Sequence, residues 1–105
     1  MSGFLALERA QVRWYLSIDP QDLPFQARPG ERTSYRSIVV DGEDLEFTEG
    51  FADLHTRVYQ ETLAGKGFDI RAARPSIELV HAVRTAPLVA VDSLAHPILV
   101  SKLRE

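Results

Sequence analysis

Apolar positions follow two different rhythms along this chain. In the first half, Val12, Trp14, Leu16 and Ile18 alternate with Gln11, Arg13, Tyr15 and Ser17. A period of two marks a strand with one buried face. A shorter apolar run, Phe4-Leu5-Ala6-Leu7, precedes it and stops at Glu8-Arg9-Ala10. The two runs predict a hairpin of residues 3–8 and 11–18, turning near Arg9-Ala10. One continuous strand is the alternative, but at roughly 16 residues it would exceed the usual strand length. Asp19-Pro20 ends the second strand, since proline offers no N–H to a ladder. Residues 21–34 hold Pro24, Pro29 and Gly30 and read as a loop, of a length that is often functional. A second hairpin follows over residues 35–40 and 43–47. Its turn is Asp41-Gly42, a strong type I′ signal.

The second half changes period. Phe51, Leu54, Val58 and Leu63 stand near helical spacing, with Asp53, Arg57 and Glu61 between them. Gly65 and Gly67 supply the stop, so Gly65-Lys66-Gly67 reads as a helix C-cap. A second helix is expected over residues 71–85, with Ile77, Leu79, Val80 and Val83 on its apolar side. Pro75 would then belong to the first turn, where its missing N–H costs little, and Ala86-Pro87 would end the helix. The tail, residues 88–105, reads as extended with at most one short strand. Strands followed by helices predict an α+β fold: an antiparallel sheet built from hairpins, with two helices on one face. The other sheet face would carry Arg13, Tyr15 and Ser17 and be suited to pairing with another subunit. The expected division is a domain of residues 1–87 and a tail of residues 88–105.

Composition narrows the function classes. With 105 residues, 45% hydrophobic and 26% charged, the chain has room for one soluble domain. A net charge of −3, without a block of like charge, points away from nucleic acid and anionic membranes as partners. No apolar run approaches the roughly 18 residues that span a bilayer. There is no cysteine, which removes disulfides and thiolate chemistry and agrees with a cytoplasmic location.

Little catalytic machinery stands out. His55, His81 and His96 lack metal-ligand spacing, and a packed or hydrogen-bonded histidine is the expectation for His55 and a structural one for His81. No metal site is expected. Asp41, Glu43, Asp44, Glu46 and Glu49 read as a solvated hairpin edge. No serine stands in a G-x-S-x-G context, and no G-x-G-x-x-G is present. The polar stretch of most interest is Arg28, Arg32, Thr33, Ser34, Tyr35, Arg36 and Ser37. Arginine forks with hydroxyls suit a phosphate or carboxylate ligand. A solvated loop with surface ion pairs explains the same composition.

Four blocks, in order and spacing, carry a resemblance. They are residues 3–19 (GFLALERAQVRWYLSID), residues 32–43 (RTSYRSIVVDGE), residues 53–68 (DLHTRVY and LAGKGF within it) and residues 73–80 (ARPSIELV). They resemble the glucose–fructose oxidoreductase/inositol dehydrogenase superfamily. The similarity is strongest to the branch that oxidises UDP-N-acetylglucosaminuronate at C3 in lipopolysaccharide sugar biosynthesis. It covers about residues 3–86.

The resemblance implies a C-terminal part of a dehydrogenase α/β domain, downstream of an NAD-binding Rossmann domain. The family's Glu-Lys-Pro lysine and catalytic histidine have no counterpart here, so His55 is not assigned that role. The chain is therefore expected to hold no catalytic residue and no cofactor-binding residue of its own, with NAD belonging to the full-length enzyme. Its expected part is substrate-side packing and homo-oligomerisation through the open sheet face. Arg32, Tyr35 and Arg36 are the candidate substrate-binding residues, since a nucleotide-sugar acid carries a diphosphate and a carboxylate. The alternative is a stand-alone β-sheet interaction module without enzymatic activity.

Overall fold

A computed structural model describes residues 1–105 except Ala27 and Phe51. Phe51, expected on the first helix, thus lies outside the described residues. The fold is α+β, with two two-stranded antiparallel sheets and three α-helices. It divides into two compact units: residues 1–33 with 88–105, and residues 34–87.

The first unit opens with the expected hairpin, β1 (Ser2–Ala6) and β2 (Gln11–Tyr15). Leu7 N–H donates to the Ala10 carbonyl at 2.8 Å and closes the turn. The register pairs Gly3 with Trp14, Phe4 with Arg13 and Leu5 with Val12. Directly paired residues share a face, so Leu5, Val12 and Trp14 lie on one side, and Phe4, Arg13 and Tyr15 on the other. The indole of Trp14 lies over Gly3, where an added Cβ would stand 2.7 Å from the ring. Glycine is what lets that ring lie flat on the strand. β2 stops at Tyr15, so the alternating pattern outruns the strand and Leu16 and Ile18 project into solvent.

A 3-10 turn, Pro20–Asp22, follows. Asp19 caps it by accepting from Gln21 N–H at 2.9 Å, and proline starts it. The same unit ends in a helix that the sequence reading missed, labelled α3 below in chain order (Pro97–Arg104). Its start carries two standard signals: Pro97 at the first position and His96 as the cap. Lys102 and Arg104 sit in its last turn, where the helix dipole favours cations. The β-branched and apolar run Ile98-Leu99-Val100 suggested an extended segment, and the capping signals outweighed it.

The second unit holds the second hairpin, β3 (Ser37–Val40) and β4 (Glu43–Glu46), paired from Ser37–Glu46 to Val40–Glu43. Asp41 and Gly42 both have positive φ, 51° and 87°, as a type I′ turn demands. Next comes α1 (Leu54–Leu63). It ends in a Schellman motif: Lys66 N–H donates to the Glu61 carbonyl at 2.8 Å and Gly65 N–H to that of Thr62 at 3.1 Å. Gly65 adopts φ 75°, which only glycine takes without strain.

Helix α2 (Ile70–Thr85) is capped by Asp69, which accepts from Ala72 N–H at 2.9 Å. Pro75 is therefore its sixth residue, inside the helix and past the first turn. The expected start at residue 71 left out the cap and misplaced the proline. A proline here leaves the Arg71 carbonyl without its helical donor.

Neither α1 nor α2 contains a buried residue, and no apolar side chain is buried among the described residues. Leu63, Phe68 and Ile70 are 89%, 90% and 80% exposed. The elements form as local chemistry dictates, but their apolar sides are left uncovered.

Candidate functional site

Each unit has its own polar cluster. In the second unit the cluster forms the base of the β3–β4 hairpin. Thr48 is its one buried residue among those described, at 8% exposure. The Arg36 backbone N–H donates to Thr48 Oγ1 at 3.0 Å, and the Arg36 guanidinium Nη1 donates to the Thr48 carbonyl at 3.1 Å. Thr48 Oγ1 donates in turn to Glu46 Oε1 at 3.0 Å. Phe47 N–H reaches the Arg36 carbonyl at 2.9 Å and continues the ladder one step. Arg36 is thus a clamp that closes the hairpin mouth. Beside it Tyr35 is half-buried.

In the first unit the cluster gathers residues far apart in sequence. Tyr15 Oη donates to Asp22 Oδ2 at 2.9 Å. Lys102 Nζ, from α3, pairs with Asp22 Oδ1. The Tyr15 ring stacks with His96, with centroids 5.7 Å apart and planes 27° from parallel. The β1–β2 face that bears Tyr15, expected to lie open, is therefore met by the chain's own C-terminal segment. The loop beyond Asp22 is folded on itself: the Arg32 guanidinium lies over the Phe25 ring, 5.3 Å from its centroid. Arginine favours such a face because the ring quadrupole attracts its weakly hydrated charge.

The candidate residues are accordingly divided. Arg32 belongs to the first unit, and Tyr35 and Arg36 to the second. Tyr15, Asp22, His96 and Lys102 escaped the sequence reading as a group. Nothing in sequence spacing links residue 22 with residue 102. The legible hint was the His96-Pro97 cap, which would have placed Lys102 on a helix.

The electrostatics of this cluster set its pH dependence. Hydrogen bonds from Lys102, then Ser17 and Tyr15, hold the Asp22 carboxyl down at about 2, from 3.8. The same pairing raises the Lys102 ammonium. Burial, with Arg13 adding repulsion, pushes the His96 imidazole below its usual 6.5. Neutral His96 caps α3 by accepting from Ile98 N–H at Nδ1, 3.2 Å away.

Both depressed values favour the deprotonated form in the fold, so stability falls on acidification in two stages. The His96 contribution is complete above 6.5 and is lost as pH drops below it. The Asp22 contribution is complete above 3.8 and is lost as pH approaches about 2. Following the Tyr15 and His96 ring resonances by NMR during an acid titration should show both steps. A His96 midpoint at or above 6.5 would contradict the packing described here.

A shallow groove beside this cluster is lined by Arg13, Asp92, Ser93, Ser101, Arg104 and Glu105. Its two arginines face two carboxylates, so it has no single-signed field to collect an anion. Among the described residues no three His, Cys, Asp or Glu side chains gather into a metal-holding group, and no helix is long and apolar enough to cross a membrane.

No protein-family model matches the chain. Solved structures do. A crystal structure of WlbA (WbpB) dehydrogenase from Thermus thermophilus, in complex with NAD and α-ketoglutarate, is 49% identical with a TM-score of 0.81. A second, in complex with NAD and UDP-GlcNAcA, is 48% identical with a TM-score of 0.79. The match covers 92% of this chain in both cases, and 32% and 31% of theirs. The chain thus spans about a third of the length of the dehydrogenase structures it matches.

The strand pairs among the described residues are antiparallel hairpins, and the Gly65-Lys66-Gly67 stretch closes a helix rather than opening one. Identity near one half, over nearly the whole chain and with the same fold, makes this chain a relative of WlbA (WbpB) dehydrogenase that matches a C-terminal portion of it.

Proposed function

We propose that this chain is the substrate-side and assembly segment of an NAD-dependent nucleotide-sugar dehydrogenase that oxidises UDP-GlcNAcA at C3. The observation that carries this reading is the 48% identity, over 92% of the chain, to a dehydrogenase solved with both NAD and UDP-GlcNAcA. The cofactor is held by residues outside these 105, and hydride transfer takes place on that side of the enzyme. This segment supplies polar groups for the sugar nucleotide, with Arg32 the foremost candidate as a cation and Tyr35 a second candidate as a hydroxyl donor. Arg36 is engaged in closing its hairpin and has less to give a ligand. The uncovered apolar sides of α1 and α2 support an assembly role, against the rest of the enzyme and between subunits. The absence of cysteine agrees with a cytoplasmic enzyme.

A hybrid enzyme tests the reading. This chain would replace the corresponding C-terminal third of Thermus thermophilus WlbA, and NADH formation would be followed with UDP-GlcNAcA. Turnover that disappears when the segment is left out supports the proposal. A folded, NAD-binding hybrid that never oxidises UDP-GlcNAcA overturns it and favours an interaction module without redox chemistry.

A further inference from the structure

We propose that His96 is a proton switch for α3: the neutral imidazole caps this helix and stacks on β2, and taking up a proton releases the first turn while the last turn stays fastened.

One ring does two jobs at the start of α3. The His96 imidazole Nδ1 accepts from Ile98 N–H at 3.2 Å, and the His96 carbonyl accepts from Val100 N–H, also at 3.2 Å. The flat side of the same half-buried ring stacks against Tyr15, with centroids 5.7 Å apart. The usual caps are serine, threonine, asparagine and aspartate, whose oxygens remain acceptors through mild acid. Histidine does not, because a proton on each ring nitrogen turns both into donors. Nδ1 and Ile98 N–H would then meet donor to donor.

Further forces act against the charged ring. The unpaired N–H groups of a helix give its N-terminus a partial positive charge. Burial withholds water from the imidazolium, and the Arg13 guanidinium on β2 repels it. The Tyr15 face works the other way, since an aromatic ring attracts a cation. Asp22, beyond Tyr15, takes the hydroxyl of that tyrosine and is paired with Lys102 of α3. Asp92, Arg104 and Glu105 line the groove that Arg13 shares, carboxylates and a guanidinium together. The balance leaves the docked ring neutral, so the docked state is fully favoured above 6.5 and loses ground as pH falls below it.

The far end of α3 answers to a different window. Lys102 Nζ pairs with Asp22, whose carboxyl is held down at about 2. Mild acid therefore frees the turn that stacks on Tyr15 and leaves the other end anchored.

Amide hydrogen exchange on the full chain, read by NMR and corrected for the intrinsic pH dependence, tests this. Between neutral pH and mild acid, the Ile98 and Val100 amides should open about two- to thirtyfold more often, the range a lost helix cap supports. The Leu7 and Leu16 amides, which close the two ends of the β1–β2 hairpin, should keep their protection. His96→Asn retains a capping oxygen without a titrating group and should abolish the acid response. Arg13→Gln removes the neighbouring cation and should move the response to higher pH. Unchanged Ile98 and Val100 amides in acid overturn the proposal. So does a loss shared equally by Leu7 and Leu16, which would mean that the whole unit opens. An acid response that persists in His96→Asn overturns it as well. Should that variant fail to fold, a midpoint that Arg13→Gln leaves in place has the same force.

Discussion

Replacing Arg32 with alanine should raise the KM for UDP-GlcNAcA about ten- to a hundredfold in an enzyme built on this segment, with kcat and NAD affinity nearly unchanged. Hydrogen bonds to charged groups are worth about 1.5–3 kcal/mol, which corresponds to that range of affinity. A guanidinium offers two parallel donors to a phosphate or carboxylate, and a lysine in its place offers only a point charge. Arg32 is also already oriented, with its guanidinium 5.3 Å from the Phe25 ring centroid. A side chain held this way loses less freedom when the ligand arrives. The sugar's charged groups are the same before and after oxidation at C3, so their grip is uniform and its loss enters KM rather than kcat.

Arg36→Ala is the informative contrast. Its guanidinium serves the Thr48 carbonyl, so its loss should cost about 1 kcal/mol of hairpin stability and leave KM where it was. Steady-state kinetics and thermal melts on both variants separate the two roles. A KM effect confined to Arg36 would move the substrate contact to the second unit.

The isolated chain should self-associate and bind a hydrophobic dye, and its thermal transition should be broad. Leu63 and Phe68 are 89% and 90% exposed and Leu88 is fully exposed. Each large apolar side chain left in water forgoes about 1.5–3 kcal/mol that burial would provide. With no buried apolar side chain among the described residues, the usual source of cooperative stability is missing. Light scattering at rising concentration should report a mass above that of one chain. Adding the remaining two-thirds of a WlbA-type enzyme should suppress the dye signal, since those residues supply the cover. A strictly monomeric chain with a sharp melt would show that these faces need no partner.

Local chemistry made much of this fold legible in advance. The alternation in residues 11–18, the Asp41-Gly42 turn and the Gly65 stop act within a few residues of themselves, and each element formed there, although β2 ended at Tyr15, short of the expected Ile18. The helix over residues 70–85 was also legible, although the Asp69 cap moved its start and put Pro75 inside. Where two local signals conflicted, in residues 97–104, the β-branched run was the one read and the proline and histidine cap was the one that held. The resemblance carried by four blocks likewise survived comparison, because it rests on residue identity and order rather than on three-dimensional placement.

Sequence by itself determined the two hairpins, the type I′ turn, two of the three helices and the kinship with a nucleotide-sugar dehydrogenase, all of them properties of near neighbours or of residue order. Tertiary structure alone decided that Arg36 closes a hairpin on Thr48, that Arg32 rests on Phe25, and that Asp22 joins Tyr15 to Lys102. Those pairings rest on side chains meeting across strands, loops and up to 80 residues of chain, where spacing along the sequence carries no information about distance in space.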